Sequence, residues 1–261
     1  MVGSFLNVCI WRLPAEEQVV KGRSHCRKCG KIIRWYDNVP LVSFALLGGR
    51  CRDCKSRISW SYPAVELATG LLFLGTIARF GWTWLAAIYA VVGASLIVVS
   101  VVDAREMIIP DEITIPGMRL GVILSFFVPA LHRSDRMMLS LLKWRLDPRW
   151  EGLIASVVGA VVGAGFLVVI GAVGSRIFKR EAMGGGDVKL MAMVGSLIGA
   201  PKALLVNLVV APVLGSAVGL FLRFRYKKEL IPYGPFLSIG SIIAIFWGDS
   251  IVAWYRQLFF L

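Results

Sequence analysis

The chain has 261 residues, 57% of them hydrophobic, a mean hydropathy of +0.72 and a net charge of +13. Such a composition excludes an ordinary soluble domain. Several apolar runs approach the ~20 residues that cross a bilayer as a helix, and the alternation of a membrane barrel is not visible. The positive charge is read as that of cytoplasmic loops flanking membrane helices, not of a nucleic-acid partner.

Residues 1–13 read as the end of a first membrane helix. Gly3 and Ser4 are small enough for close helix packing. Asn7 is a polar group in need of a partner, Cys9 packs as a small hydrophobe, and Arg12 and Pro14 mark the exit. No removable signal peptide is visible, because the start lacks a basic region followed by a long apolar run. Residues 14–61 differ in kind: polar, basic and rich in turn residues, with Cys26-x-x-Cys29 and Cys51-x-x-Cys54. That paired spacing suits tetrahedral zinc and also occurs in redox or disulfide sites. Zinc is favoured because the loop falls on the expected cytoplasmic side, where thiols stay reduced. His25 adjoins Cys26, but four cysteines already complete a zinc shell. A segment this small buries little core, so a metal is a plausible staple. Within it, residues 40–47 form a short apolar run, read as a buried piece or a membrane-surface segment.

Tyr62-Pro63 opens a second helix that carries Glu66 one turn in and runs to about Phe80. Gly81-Trp82-Thr83-Trp84 is a turn with interfacial aromatics. A third helix ends near Val102 in the charged loop from Asp103 to Glu112. A fourth runs from about Glu112 to Leu131. Residues 132–150 read as an amphipathic helix on the membrane surface. A fifth helix, 151–176, is dense in glycine, alanine and valine. Met183-Gly184-Gly185-Gly186-Asp187-Val188-Lys189-Leu190 then opens a short sixth helix to Gly199. A seventh spans about 201–222, and Ile231-Pro232-Tyr233-Gly234-Pro235 opens an eighth that ends near Arg256. The expected architecture is an all-α polytopic membrane protein of about eight transmembrane helices plus a small cytoplasmic zinc-binding module with four cysteine ligands. Its parts are 1–13, first helix; 14–61, metal module; and 62–261, helical bundle. Most of the 29 basic residues lie on the side that holds the cysteine, Asp103 and Asp187 loops, which the positive-inside rule makes cytoplasmic. The basic residues of 132–150 fit that assignment poorly.

A carboxylate at the membrane edge is costly unless solvated, paired or used. Asp103 and Asp187 each stand at a helix end on the same expected face. Two close carboxylates hold and activate one water, one as base and the other, kept protonated by like-charge repulsion, as acid. The plainer reading has each aspartate cap a helix or pair with a cation. Asp111 rivals Asp103; following Pro110, it reads mainly as a helix N-cap. Glu66 either snorkels, accepts a hydrogen bond or serves the site. Lys189 either tunes Asp187 or reaches the headgroups. Gly184 and Gly186 permit unusual backbone angles and close approach of another segment, and their spacing is not that of a phosphate loop.

Together these residues resemble the bacterial type IV prepilin peptidase family. The resemblance rests on Gly3-Ser4-Phe5-Leu6-Asn7-Val8 with Arg12-Leu13-Pro14, both cysteine pairs, Tyr62-Pro63 with Glu66, Asp103 with Ile109-Pro110-Asp111, Gly184-Gly185-Gly186-Asp187-Val188-Lys189-Leu190, and Ile231-Pro232-Tyr233-Gly234-Pro235-Phe236. It covers essentially the whole chain, and the glycine motif matches the Gly-x-Gly-Asp signature of intramembrane aspartyl proteases. The resemblance implies an aspartic endopeptidase with Asp103 and Asp187 as its catalytic pair, which decides between Asp103 and Asp111. It implies cleavage of a basic leader after a glycine at the cytoplasmic face of the inner membrane, on a prepilin or pseudopilin. In many family members methylation of the new amino terminus with S-adenosylmethionine follows. Because some members lack the cysteines, it implies that zinc is structural. Only Met1 and Val2 precede the first motif, where the family has a longer apolar lead, so the first helix is expected to be truncated or its start misassigned. A competing class is a transporter or channel in which Asp103, Asp187 and Glu66 ligate ions or protons near mid-membrane. A second takes the cysteine module as a partner-docking unit and the bundle as its anchor.

Overall fold

The structure, a computed structural model, describes residues 1–20, 22, 24–132, 147–179, 183–226 and 231–260. It is all-α: no strand occurs among the described residues, only two isolated bridges. The helices are α1 (Val2–Arg12), α2 (Val42–Leu46), α3 (Ser61–Phe80), α4 (Trp84–Glu106), α5 (Asp111–Phe127), α6 (Pro148–Phe178), α7 (Gly185–Ile198), α8 (Ala200–Leu205), α9 (Ala211–Tyr226) and α10 (Gly234–Phe260). A π-helical turn, Val206–Val210, joins α8 to α9 into one long rod.

Every helix expected from the sequence in the described residues is present, with ends moved by a few residues. The fourth stops at Phe127, and Pro129–His132 continues as a 3-10 turn. The expected surface helix of 132–150 lies mostly outside the described residues. Against about eight expected spans, five helical stretches among the described residues are long and apolar enough to cross a membrane: Ser61–Phe80, Trp84–Glu106, Pro148–Ile177, Ala200–Arg225 and Gly234–Leu258. At 1.5 Å per residue, the 14-residue α7 is only about 21 Å long.

The helix ends are set locally. Thr83 caps α4 by accepting from the Ala86 N–H at 3.3 Å. Asp147 caps α6 through the Arg149 N–H at 2.9 Å, with Pro148 in the first turn. Glycines bracket α7 at Gly184 and Gly199. The main core is built around α7, where Leu190, Met191 and Ile198 are fully buried. Glycines let α6 and α7 touch backbone to backbone: a Cβ at Gly163 would stand 2.6 Å from the Met191 carbonyl, and Gly159 and Gly195 abut each other's carbonyls. A second cluster, with Leu6, Ile10, Val98 and Val102, joins α1 to α3 and α4. Cys9 packs against it, as expected.

The first sequence motif acquires a physical account here. A Cβ at Gly3 would sit 2.8 Å from the Glu66 Cα, so only glycine lets α1 lie this close to α3. Asn7 Nδ2 donates to the Tyr62 carbonyl at 3.2 Å, and Ser4 Oγ donates to Asn38 Oδ1 at 2.7 Å.

Candidate active site

The last turn of α4 and the first turn of α7 converge. Asp103 lies in that last turn, buried to 6% exposure, and Asp187 in that first turn, at 9%. Both line one cleft of about 470 Å³, where they act on each other electrostatically. The cleft is closed on one side by the chain leaving α1 (Leu13, Pro14, Glu16) and on another by Met107–Glu112. Asp103 Oδ2 accepts the Gly234 N–H at 2.9 Å. Met107, in the left-handed region, ends α4 by donating its N–H to the Asp103 carbonyl at 2.9 Å.

The glycines work by space. None of Gly184, Gly185 and Gly186 has a positive φ, so the expected need for unusual backbone angles is not met. A Cβ at Gly186 would stand 3.0 Å from the Ile109 Cβ, while one at Gly185 would meet nothing within 4 Å. The motif thus packs against Ile109 on one side and leaves the cleft open on the other.

Two sequence expectations are corrected. Asp111 is not an N-cap: Pro110 holds that position, Asp111 is the first helical residue, and no side-chain cap bond forms. Instead its two oxygens take the Lys189 ammonium at 2.7 and 2.9 Å. Lys189 accordingly pairs with Asp111, a partner not expected from the sequence. This half-exposed pair ties α5 to α7 across the cleft mouth. Glu66 is not in the cleft lining; its Oε2 accepts the Leu41 N–H at 2.9 Å and so holds the start of α2, at a residue with φ 61°. The apolar run around α2 is a surface segment, with Val42 and Leu46 exposed.

The cysteines form a second site. Sγ atoms of Cys26, Cys29, Cys51 and Cys54 all lie within 4.8 Å of one another, and no disulfide links them. Two turns with the same bonding supply them. Cys26 N–H donates to Lys31 and the Gly30 N–H returns to Cys26; Cys51 N–H donates to Ser56 and the Lys55 N–H returns to Cys51. The fourth residue after each first cysteine, Gly30 or Lys55, has a positive φ. Four sulfurs at ~2.3 Å from a tetrahedral zinc stand roughly 3.8 Å apart, and Cys26 and Cys54 are 3.8 Å apart. Burial works against the Cys26 thiolate, but the Cys29 and Lys28 N–H groups aimed at its sulfur bring it down to about 6. For Cys29, the Lys31 N–H favours the thiolate, yet partial desolvation, hydrogen bonds to the Cys26 and Cys54 sulfurs and the charge of Cys26 drive its pKa up to about 11. A cation among four crowded sulfurs removes that conflict.

Profiles of known families fit this arrangement. That of the bacterial peptidase A24 N-terminal domain matches residues 1–80, and that of the type IV leader peptidase family matches residues 90–220. The chain belongs to the type IV leader peptidase family. A prepilin leader peptidase/N-methyltransferase of Pseudomonas putida is 34% identical over 99% of this chain and 91% of the relative. One of Pseudomonas aeruginosa is 34% identical over 98% and 90%. One of Myxococcus xanthus is 38% identical over 85% of this chain, which spans 60% of that relative's length. No solved structure matches the chain.

The sequence reading missed Gly234 as the donor to Asp103, although its motif was noted. It also missed Glu16 and Glu112 in the cleft lining, and Arg27 and Arg105 over the ring of Trp11. Only the turn composition of Pro232-Tyr233-Gly234-Pro235 offered a signal for the first.

Proposed function

We propose that this multi-pass inner-membrane protein is a prepilin leader peptidase in which Asp103 and Asp187 activate water. The observation that carries the reading is the convergence of these two buried aspartates, 84 positions apart in sequence, in one open cleft at the ends of α4 and α7. One carboxylate takes a proton from water as its oxygen attacks the scissile carbonyl carbon. The other gives a proton to the leaving amide nitrogen as the C–N bond breaks. The protons belong to the pair rather than to either member. Gly185 leaves room for the substrate backbone. Glu16, Asp111 and Glu112 add carboxylates to a lining whose one cation among the described residues is Lys189, which complements a basic leader just ahead of an apolar helix. A transporter needs these carboxylates near mid-depth; here they stand in terminal helical turns.

Residues 14–61 form a structural zinc module in this reading, held by Cys26, Cys29, Cys51 and Cys54, and it lies with the cleft on the cytoplasmic side. Zinc supplies a closed tetrahedral staple there and takes no part in cleavage. Metal analysis of the purified chain should find about one zinc per chain, lost on Cys29→Ser with Cys54→Ser. Wild-type protein with no zinc and oxidised cysteines rejects the metal reading.

The protein also methylates the amino terminus it creates, as the names of its relatives indicate for them. S-adenosylmethionine is the methyl donor of this reading, and no residue set is assigned to it. One assay reads both steps. Wild-type enzyme should shorten a prepilin by its leader and, with the donor added, make the product heavier by one methyl group. Asp103→Asn and Asp187→Asn should each abolish cleavage, by at least about 10³-fold, in protein that still inserts in the membrane. Cleavage retained by either variant rejects the dyad.

A further inference from the structure

The cysteine module meets the bundle through Ser4 with Asn38, through Glu66 with Leu41, and through a third link that leads toward Asp103. Arg27 sits between Cys26 and Cys29. Its guanidinium lies 3.6 Å from the centroid of the Trp11 ring near the end of α1. Arg105, two residues after Asp103, lies 4.5 Å from the same ring and donates to Ser61 Oγ at 2.7 Å. Tyr62 stacks on Trp11 at 6.5 Å between centroids. Around these groups is a second cavity of about 230 Å³, also lined by Pro14, Val102 and Glu106; Pro14 lines the aspartate cleft as well.

The two arginines carry like charge, and the indole favours both of them: each guanidinium is drawn to its electron-rich face, with Glu106 in the same lining. Arg27 is fixed because it lies within a turn whose ends are two of the four clustered sulfurs. Arg105 belongs to the same helical turn as Asp103, so a shift at Arg105 moves the Asp103 backbone. We propose that Trp11 and Arg27 are positioning residues for Asp103: the metal-stapled turn holds Arg27 on Trp11, Trp11 holds Arg105, and Arg105 sets the end of α4. The module thereby governs the cleavage step from outside the cleft. This rests on the dyad and on the zinc reading, and the experiment separates the three.

The test uses the full chain in detergent, with kcat and KM for prepilin cleavage, zinc content and unfolding temperature measured together. Trp11→Leu and Arg27→Ala should each lower kcat roughly three- to thirtyfold, the range of one such contact, with KM and unfolding temperature unchanged. Trp11→Phe, which keeps an aromatic face, should regain most of the rate. The Trp11→Leu, Arg27→Ala double variant should be no slower than either single one, because both cut the same link. Chelation should slow the wild type by a similar factor and leave Arg27→Ala unaffected. Losses that multiply in the double variant, a loss confined to KM, or Trp11→Phe as slow as Trp11→Leu overturns the proposal. Wild type without zinc, with the substitution variants behaving as stated, supports the link from Arg27 through Trp11 to Arg105 and overturns the metal reading together with the metal staple on Arg27. Full cleavage by Asp103→Asn overturns both the dyad and the link.

Discussion

Asp103 accepts a hydrogen bond from the Gly234 N–H, where the chain enters α10. A Cβ at 234 would stand 2.7 Å from Oδ2 and 3.0 Å from Cγ, so any side chain there pushes the carboxylate aside. Displacements near 1 Å cost about 10²-fold in well-aligned sites. Gly234→Ala should therefore cut cleavage by roughly that factor while zinc content and unfolding temperature stay near wild type. Undiminished cleavage would show that the Gly234 contact does not hold the dyad in its working geometry. Asp103, Asp187 and the cysteines stood out in the sequence as candidates because charge in an apolar context and paired thiol spacing are costly or rare, but charge alone left Asp103 and Asp111 open and the family resemblance chose between them. Gly234 did not stand out, since its partner is 131 positions away. Asp111 was misread for the same reason: the capping rule is local, whereas the lysine that takes its carboxylate is 78 positions on.

At the scale of the helix, apolar runs and Gly or Pro boundaries located every expected element in the described residues. They did not tell which helices face lipid. A run buried in protein and one facing lipid look alike in hydropathy. α7 is the case in point. Its 14 residues carry the Asp187 turn, and Met191 and Leu190 are fully enclosed. It is the axle of the bundle, with α6 and α5 laid against it through glycines. Gly159, Gly163 and Gly195 shorten the distance between α6 and α7, and Gly117 and Gly121 accept Met193 and Ser196 from α7 into α5. The glycines of α5, α6 and α7 thus mark the helix on which its neighbours close most tightly. Pairing which glycine with which helix required the fold.

The whole molecule has two ends. Leu13–Glu16, Asp103–Glu112, Gly184–Lys189 and Gly234 gather at one. α4 has 23 residues and is about 35 Å long, so Thr83 stands at the other. There Lys202, buried, pairs with Asp249 at 2.9 Å, and Arg79 donates to the Phe246 carbonyl at 3.2 Å. Trp82 is 90% exposed at that end, and Trp84 is exposed beside it, in keeping with an aromatic belt at a membrane surface. The cysteine module, through Arg27 on Trp11, belongs to the Asp103 end. Placing that end in the cytoplasm, as proposed, fixes the sidedness of residues far from the site. In spheroplasts, a maleimide that does not cross membranes should label Trp82→Cys and leave Cys29 and Cys54 unlabelled. After lysis in the presence of a chelator, Cys29 and Cys54 should become reactive too, since both are exposed. Peptide mapping assigns each label to its residue. Module cysteines labelled from outside, with Trp82→Cys silent, would invert the molecule. The dyad would then face away from the compartment in which leader peptides are made.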